Sequence, residues 1–248
     1  MPLRICILET DVLRPELIDQ YHGYGRMFEQ LFARQPVPAQ FFVYNVVQGE
    51  YPADDERFDA YLVTGSKADS FGSDPWIQTL KAYLLDRYQR GDKLLGICFG
   101  HQLLALLLGG KSERASQGWG LGTHRYRLEE QASWMTPRLD DLTLLISHQD
   151  QVTALPDNAT VVASSAFCPF AAYRIGHQVL CFQGHPEFIH AYSRALLDLR
   201  RQHLGDELYD QAIDSLQDDH HGLTVAEWMM RFVSQPRETI EALEQEQR

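Results

Sequence analysis

A cysteine stands between two glycines at the end of an apolar run, in the segment Gly96-Ile97-Cys98-Phe99-Gly100. Residues 93–97 read as a buried strand and residues 101–108 as a helix that is apolar almost all round. A sharp strand-to-helix turn exposes the side chain at its apex above the sheet, and small flanking residues let neighbouring backbone come close. The unpaired N–H groups at a helix start also favour a thiolate, the nucleophilic form of cysteine. The chemistry on offer is nucleophilic attack by a thiolate. A buried cysteine in a tight turn is the commoner case for an arbitrary cysteine, but two glycines at this spacing reverse those odds.

A thiolate of this kind works with a base. His185 follows the apolar run "VLCFQG", and Glu187, two residues on, can accept a hydrogen bond from the imidazole and fix its tautomer. Taken alone, His185 is one of 10 histidines and Glu187 an acid near a helix start; paired with Cys98 they form a triad. The run "LVTG" ends in Gly65 and Ser66, whose N–H groups could meet an oxyanion together with that of Phe99, the residue after the nucleophile. Without Cys98 that segment would be an ordinary loop. His148, in "ISHQDQV", stands at another strand end, where lining a pocket and making a structural hydrogen bond are equally open to it.

Other suggestive spacings carry less. "GGKS" (109–112) imitates the end of a phosphate-binding loop, but Ala105 replaces the required first glycine and the segment follows a helix, so Gly109 and Gly110 read as a helix stop. Cys98 with His101, and His220 with His221, have metal-ligand spacing, yet no second pair completes a site, so no metal and no cofactor is expected. Cys6, Cys168 and Cys181 lie in strand-like runs and read as core.

Bringing Cys98 and His185 together requires the two strands before them to run parallel, because sites in parallel sheets form outside the carboxyl ends of the strands. The pattern supplies this. Runs 3–8, 39–45, 60–65 and 93–97 alternate with helix-like stretches over 15–33 and 75–89, which implies parallel strands with covered faces. The helix over 15–33 is weakened by Gly23 and Gly25. The middle of the chain differs: runs 122–128, 142–148, 160–165, 170–176 and 178–184 follow one another with turns between them, an antiparallel or mixed portion that rejoins the sheet at "VLCFQG". After Pro186 the chain reads as helical, over 190–204, 206–217 and 224–235, with a loop at 218–222 and a frayed end at "EALEQEQR". The apolar stripe Val225, Trp228, Met229 and Phe232 reads as core packing.

Composition narrows the function classes. The net charge of −12 over 248 residues makes nucleic acid an unsuitable partner, since phosphate binding needs clustered Lys and Arg. The longest apolar run, 103–108, is too short for a bilayer, and the acids soon after the first apolar run are wrong for a secretion signal. Four cysteines without framework spacing suggest a reducing, cytoplasmic setting.

Taken together, "GICFGHQLLALLLGGK", "QGHPEF" and "LVTGSKADSFGSDPWI" resemble the class I glutamine amidotransferase family. The resemblance implies a flavodoxin-like, doubly wound α/β sheet, mostly parallel with an antiparallel portion and helices on both faces. It implies Cys98 as nucleophile, His185 as base, Glu187 as its orienting acid, and the Gly65 and Phe99 amides as the oxyanion hole. It places Ser66 and Gln102 at the substrate, and Ser147 and His148 near the substrate's α-amino and carboxylate groups. The catalytic domain so implied covers 1–204, with 205–248 a helical extension packed on it.

The expected reaction is hydrolysis of a γ-glutamyl amide, glutamine itself or a related compound. The oxyanion loop has less glycine and proline than biosynthetic members carry, and no ammonia-using domain follows. Ammonia would therefore need a separate synthetase subunit to accept it. The alternatives are a γ-glutamyl peptidase acting on peptides such as glutathione derivatives, towards which "TGSKADSFGSDPWI" and "GWGLG" lean, and a non-catalytic regulatory module, which predicts decay of the triad.

Overall fold

Four of the apolar runs become parallel strands: Leu3–Glu9 (β1), Ala39–Asn45 (β2), Ala60–Val63 (β3) and Lys93–Ile97 (β4). A fifth, Val179–Phe182 (β11), joins β4 in parallel, with Val179 beside Leu94 and Phe182 beside Ile97. The order β2-β1-β3-β4-β11 is that of a flavodoxin-like doubly wound sheet. This architecture comes from a computed structural model that describes residues 2–236; the end segment 241–248, read as frayed, lies outside the described residues.

The sheet continues antiparallel beyond β11 through Ala172–Ile175 (β10), Ala159–Ser164 (β9), Gly120–Leu128 (β6) and Asp141–His148 (β7), giving nine strands in all. Two short polar segments, Lys111–Arg114 (β5) and Asp150–Ala154 (β8), pair with each other in a separate ribbon. Sequence periodicity does not reveal that ribbon.

Alternation along the strands sorts the core onto two faces. Ile5, Ile7, Leu62, Leu95 and Ile97 pack under Tyr24–Phe32 (α2) and Gly222–Ser234 (α7). Cys6, Leu8, Tyr61, Val63 and Leu94 pack under Pro75–Gln89 (α3) and Phe99–Leu107 (α4). A third cluster joins Pro15–Tyr21 (α1), His190–Leu204 (α5) and Asp206–Ser215 (α6) to Leu121 and Leu145.

The helix expected over 15–33 is two helices, because His22 adopts a left-handed conformation (φ 63°) that closes α1 before α2 begins. The stripe Val225, Trp228, Met229 and Phe232 on α7 is fully buried. The Lys93 ammonium, at the start of β4, donates to the carbonyls of Phe232 and Gln235, each at 2.7 Å, and so holds the end of α7. Among the described residues no helix is long and apolar enough to cross a membrane.

Candidate active site

Cys98 occupies the step between β4 and α4, with φ 50° and ψ −99°. Few non-glycine residues adopt such a conformation, and it persists only where the surroundings impose it. The two glycines explain how. A Cβ on Gly96 would stand 2.7 Å from the Gly100 carbonyl group, and one on Gly100 would stand 2.4 Å from the Val63 oxygen. The start of α4 is thus pressed directly onto β3 and β4, leaving Cys98 at the apex. Its own N–H donates to the Phe182 carbonyl at 2.9 Å.

Because β4 and β11 are parallel, the chain leaving β11 emerges at the same edge. His185 is fixed there by donating its N–H to the Leu145 carbonyl at 2.8 Å. Its Nδ1 lies 2.8 Å from Glu187 Oε1, and its ring stacks on Phe188 with centroids 3.9 Å apart. Burial opposes a charge on this ring, but the Glu187 carboxylate and the nearby Cys98 sulfur outweigh it and lift its pKa to about 10. The imidazole therefore carries its proton at neutral pH. Glu187 lies in a turn, three residues ahead of α5, rather than at the helix start.

Gly65 completes the near wall. A Cβ there would sit 2.8 Å from His185 Cε1, so no larger residue fits without displacing the imidazole. The Thr64 carbonyl accepts from the Gly100 N–H at 3.3 Å and from Thr10 Oγ1 at 3.1 Å. In a trans peptide the Gly65 N–H then points the opposite way. Thr10 Oγ1 also lies 3.0 Å from the Gly65 oxygen. Neither the Gly65 N–H nor the Phe99 N–H makes a hydrogen bond among the described residues. Asp11 ties the same loop down, accepting from the Lys67 N–H at 2.9 Å.

A cavity of about 400 Å³ opens over Cys98 and is lined in part by Ser66, Gln102, Ser147, His148 and Asp150. Gln102 Nε2 donates to the Asp150 carbonyl at 2.8 Å and to Gln183 Oε1 at 3.1 Å. His148 both lines the cavity and makes a structural bond, from Nδ1 to the Asp150 carbonyl at 3.1 Å. Burial, aided by the neighbouring His185 charge, lowers its pKa to about 3, so its other nitrogen, Nε2, is an acceptor. Ser147 Oγ accepts from Arg200 at 2.6 Å. A second, much smaller cavity of about 30 Å³ is bordered by Gly65, Cys98, Ser147, His185 and Arg200.

No sequence motif points to Thr10, Asp11 or Arg200, which reach the site from segments with no signature spacing. Phe188, three residues after His185, has a local clue in "HPEF". A larger depression of about 600 Å³, lined by Arg125, Asp141, Asp218 and His221 among others, does not include Cys98 or His185. Among the described residues no group of three or more His, Cys, Asp or Glu could hold a metal ion.

Comparison with known proteins places this arrangement. The family model "Glutamine amidotransferase class-I" matches residues 16–198. Gamma-glutamyl peptidase 3 of Arabidopsis thaliana is 32% identical over 68% of this chain and 70% of its own length. GMP synthase [glutamine-hydrolyzing] of Streptococcus thermophilus is 32% identical over 67% of this chain but only 32% of its own length. A crystal structure of a glutamine amidotransferase from Thermotoga maritima superposes with a TM-score of 0.74 at 18% identity, covering 95% of this chain and all of that one, which is a likeness of fold.

Proposed function

The chain belongs to the class I glutamine amidotransferase family, and we propose that it hydrolyses a γ-glutamyl amide bond with Cys98, His185 and Glu187 as its triad. The observation that carries this reading is the strained Cys98 apex beside an imidazole held by Glu187 at 2.8 Å, a carboxylate that favours the ring's protonated form. A cationic imidazole beside the sulfur is the partner an attacking thiolate needs.

In this mechanism the Cys98 thiolate attacks the γ-carbonyl carbon and the electron pair moves to oxygen. The Gly65 and Phe99 N–H groups, which make no hydrogen bond among the described residues, receive that oxyanion. His185 gives its proton to the amide nitrogen, the C–N bond breaks, and a γ-glutamyl thioester remains on Cys98. The neutral imidazole then takes a proton from water as the water oxygen attacks the thioester. Glutamate leaves and the thiolate–imidazolium pair is restored. Glu187 holds the ring through Nδ1 and balances its charge. Ser66, Gln102, Ser147 and His148 form the wall against which the glutamyl unit lies, with the unprotonated His148 nitrogen as an acceptor for the substrate's α-ammonium group.

The leaving nitrogen can belong to ammonia or to an amine. An ammonia-releasing enzyme would serve a separate synthetase; the resemblance to the Arabidopsis peptidase favours an amine. A non-catalytic module fits poorly, because the triad is complete and its strain is retained. The test is covalent: a glutamine-derived chloroketone should add one label per chain at Cys98, located by peptide mass, and Cys98→Ala should abolish both labelling and glutamate release. Glutamate release that survives Cys98→Ala would refute the assignment.

A further inference from the structure

Although the protein is strongly acidic, the walls of the cavity over Cys98 carry the cations Arg14, Lys67, Arg114 and Arg200. Two of them are already neutralised. Lys67 Nζ lies 2.9 Å from Asp11, and Arg114 Nε lies 2.7 Å from Asp150. The other two have no carboxylate partner among the described residues. Arg200 bonds only to the Ser147 hydroxyl and lies over the Trp119 ring at 5.3 Å. Burial, with Arg14 nearby adding to it, depresses the proton affinity of Arg200. A guanidinium removed from water without an opposite charge is unfavourable, and an anionic ligand would compensate it.

Position tells which end of the substrate brings that anion. Arg200 borders the small cavity that also contains Cys98 and His185, and the larger cavity as well. Gln102, His148 and Asp150 border only the larger one. With the γ-carbonyl at Cys98, the leaving nitrogen must face His185, which protonates it. The leaving group therefore extends on the side of Arg200, the glutamyl end on the side of Gln102 and His148, and Ser147, which borders both cavities and bonds to Arg200, stands at the junction of the two.

Resting on the hydrolase reading above, we infer that Arg200 is the specificity-determining receptor for a free carboxylate on the leaving group. Ammonia has no such group. An amino acid or a short peptide released from the γ-glutamyl unit has one.

The test compares γ-glutamylalanine with its carboxyl-terminal amide and with glutamine, all of which share the same α-amino and α-carboxylate groups. The wild-type kcat/KM should favour the acid over its amide by about tenfold or more, the worth of a charge-assisted hydrogen bond in a partly desolvated site. That ratio should fall towards unity in Arg200→Met and be partly restored in Arg200→Lys. Because it is a ratio, a general loss of activity in any variant cancels. A wild-type ratio near unity, or one that survives Arg200→Met, overturns the inference while leaving the hydrolase intact. Equal losses on all three substrates would mean that Arg200 holds the shared α-carboxylate, which also overturns it. Absence of glutamate release from every substrate together with absence of Cys98 labelling would instead sink the hydrolase reading, and the inference with it.

Discussion

Cys98 is held at φ 50° and ψ −99°, and the strain in that conformation can be weighed directly. Replacing it with alanine removes the sulfur but keeps the Cβ, and so keeps the strain; replacing it with glycine releases the backbone. At an unstrained buried site, alanine to glycine costs about 0.5–1 kcal/mol of chain entropy and about 0.8 kcal/mol for the lost methyl group. Ala105, fully buried in α4, supplies that reference through Ala105→Gly, expected to destabilise by roughly 1.3–1.8 kcal/mol on those terms. At position 98 the relief of a sparsely populated backbone conformation offsets about 1–3 kcal/mol of the same penalty. Cys98→Gly should therefore be as stable as Cys98→Ala to within about a kcal/mol, or more stable, while both are inactive. In thermal melts the two positions should differ in their alanine-to-glycine shift by roughly 2–12 °C, at about 2–4 °C per kcal/mol for a chain of this size. Urea titrations give the same comparison free of heating artefacts. If Cys98→Gly falls below Cys98→Ala by as much as Ala105→Gly falls below its parent, the backbone at the apex is relaxed. The argument from imposed geometry then fails.

Two further outcomes follow from the same site. His185 binds its proton up to about pH 10 in the folded protein, against an ordinary 6.5, so its contribution to stability is complete below about pH 6.5 and is lost as pH rises through 10. Stability should fall between neutral and alkaline pH, and Glu187→Gln, which removes the largest favourable charge, should flatten that slope and lower the ring pKa seen by NMR; an unchanged ring titration would contradict the pairing. Gly65→Ala would force a methyl group to within 2.8 Å of His185 Cε1. It should leave the protein folded by circular dichroism but reduce kcat by about 10²–10³, the scale of a lost oxyanion donor, and near-normal turnover would show that the loop does not touch the reaction.

Much of this is legible in the amino-acid sequence. The glycines flanking Cys98 sit where backbone must approach backbone, so their spacing carries geometry as well as composition. The runs before Cys98 and His185 are short and largely apolar, and such runs become buried parallel strands. What stays hidden has physical reasons too. The β5 and β8 segments are four and five residues long and largely polar, so neither shows the alternation that marks a strand. The left-handed turn at His22 falls on a residue type that seldom adopts it. Thr10, Asp11 and Arg200 act on the site by folding back from distant segments, and no local spacing announces a partner 54 or 53 residues away, as in the bonds from Thr10 to Thr64 and from Arg200 to Ser147.

The Lys93 ammonium bears on how the chain is made. It begins β4, the strand that ends at Cys98, and two of the carbonyls that accept from it belong to Phe232 and Gln235, 139 and 142 residues further on. On a ribosome these acceptors leave the exit tunnel well after the strand they secure. The N-terminal βα units can dock early, as domains tend to do during synthesis, but the base of β4 gains these contacts only once α7 has emerged. A nascent chain stalled before α7 would already carry Cys98, His185 and Glu187, but the buried Lys93 cation of β4 would have yet to meet these two acceptors. The anchoring of β4 at Lys93 is thereby tied to the arrival of α7.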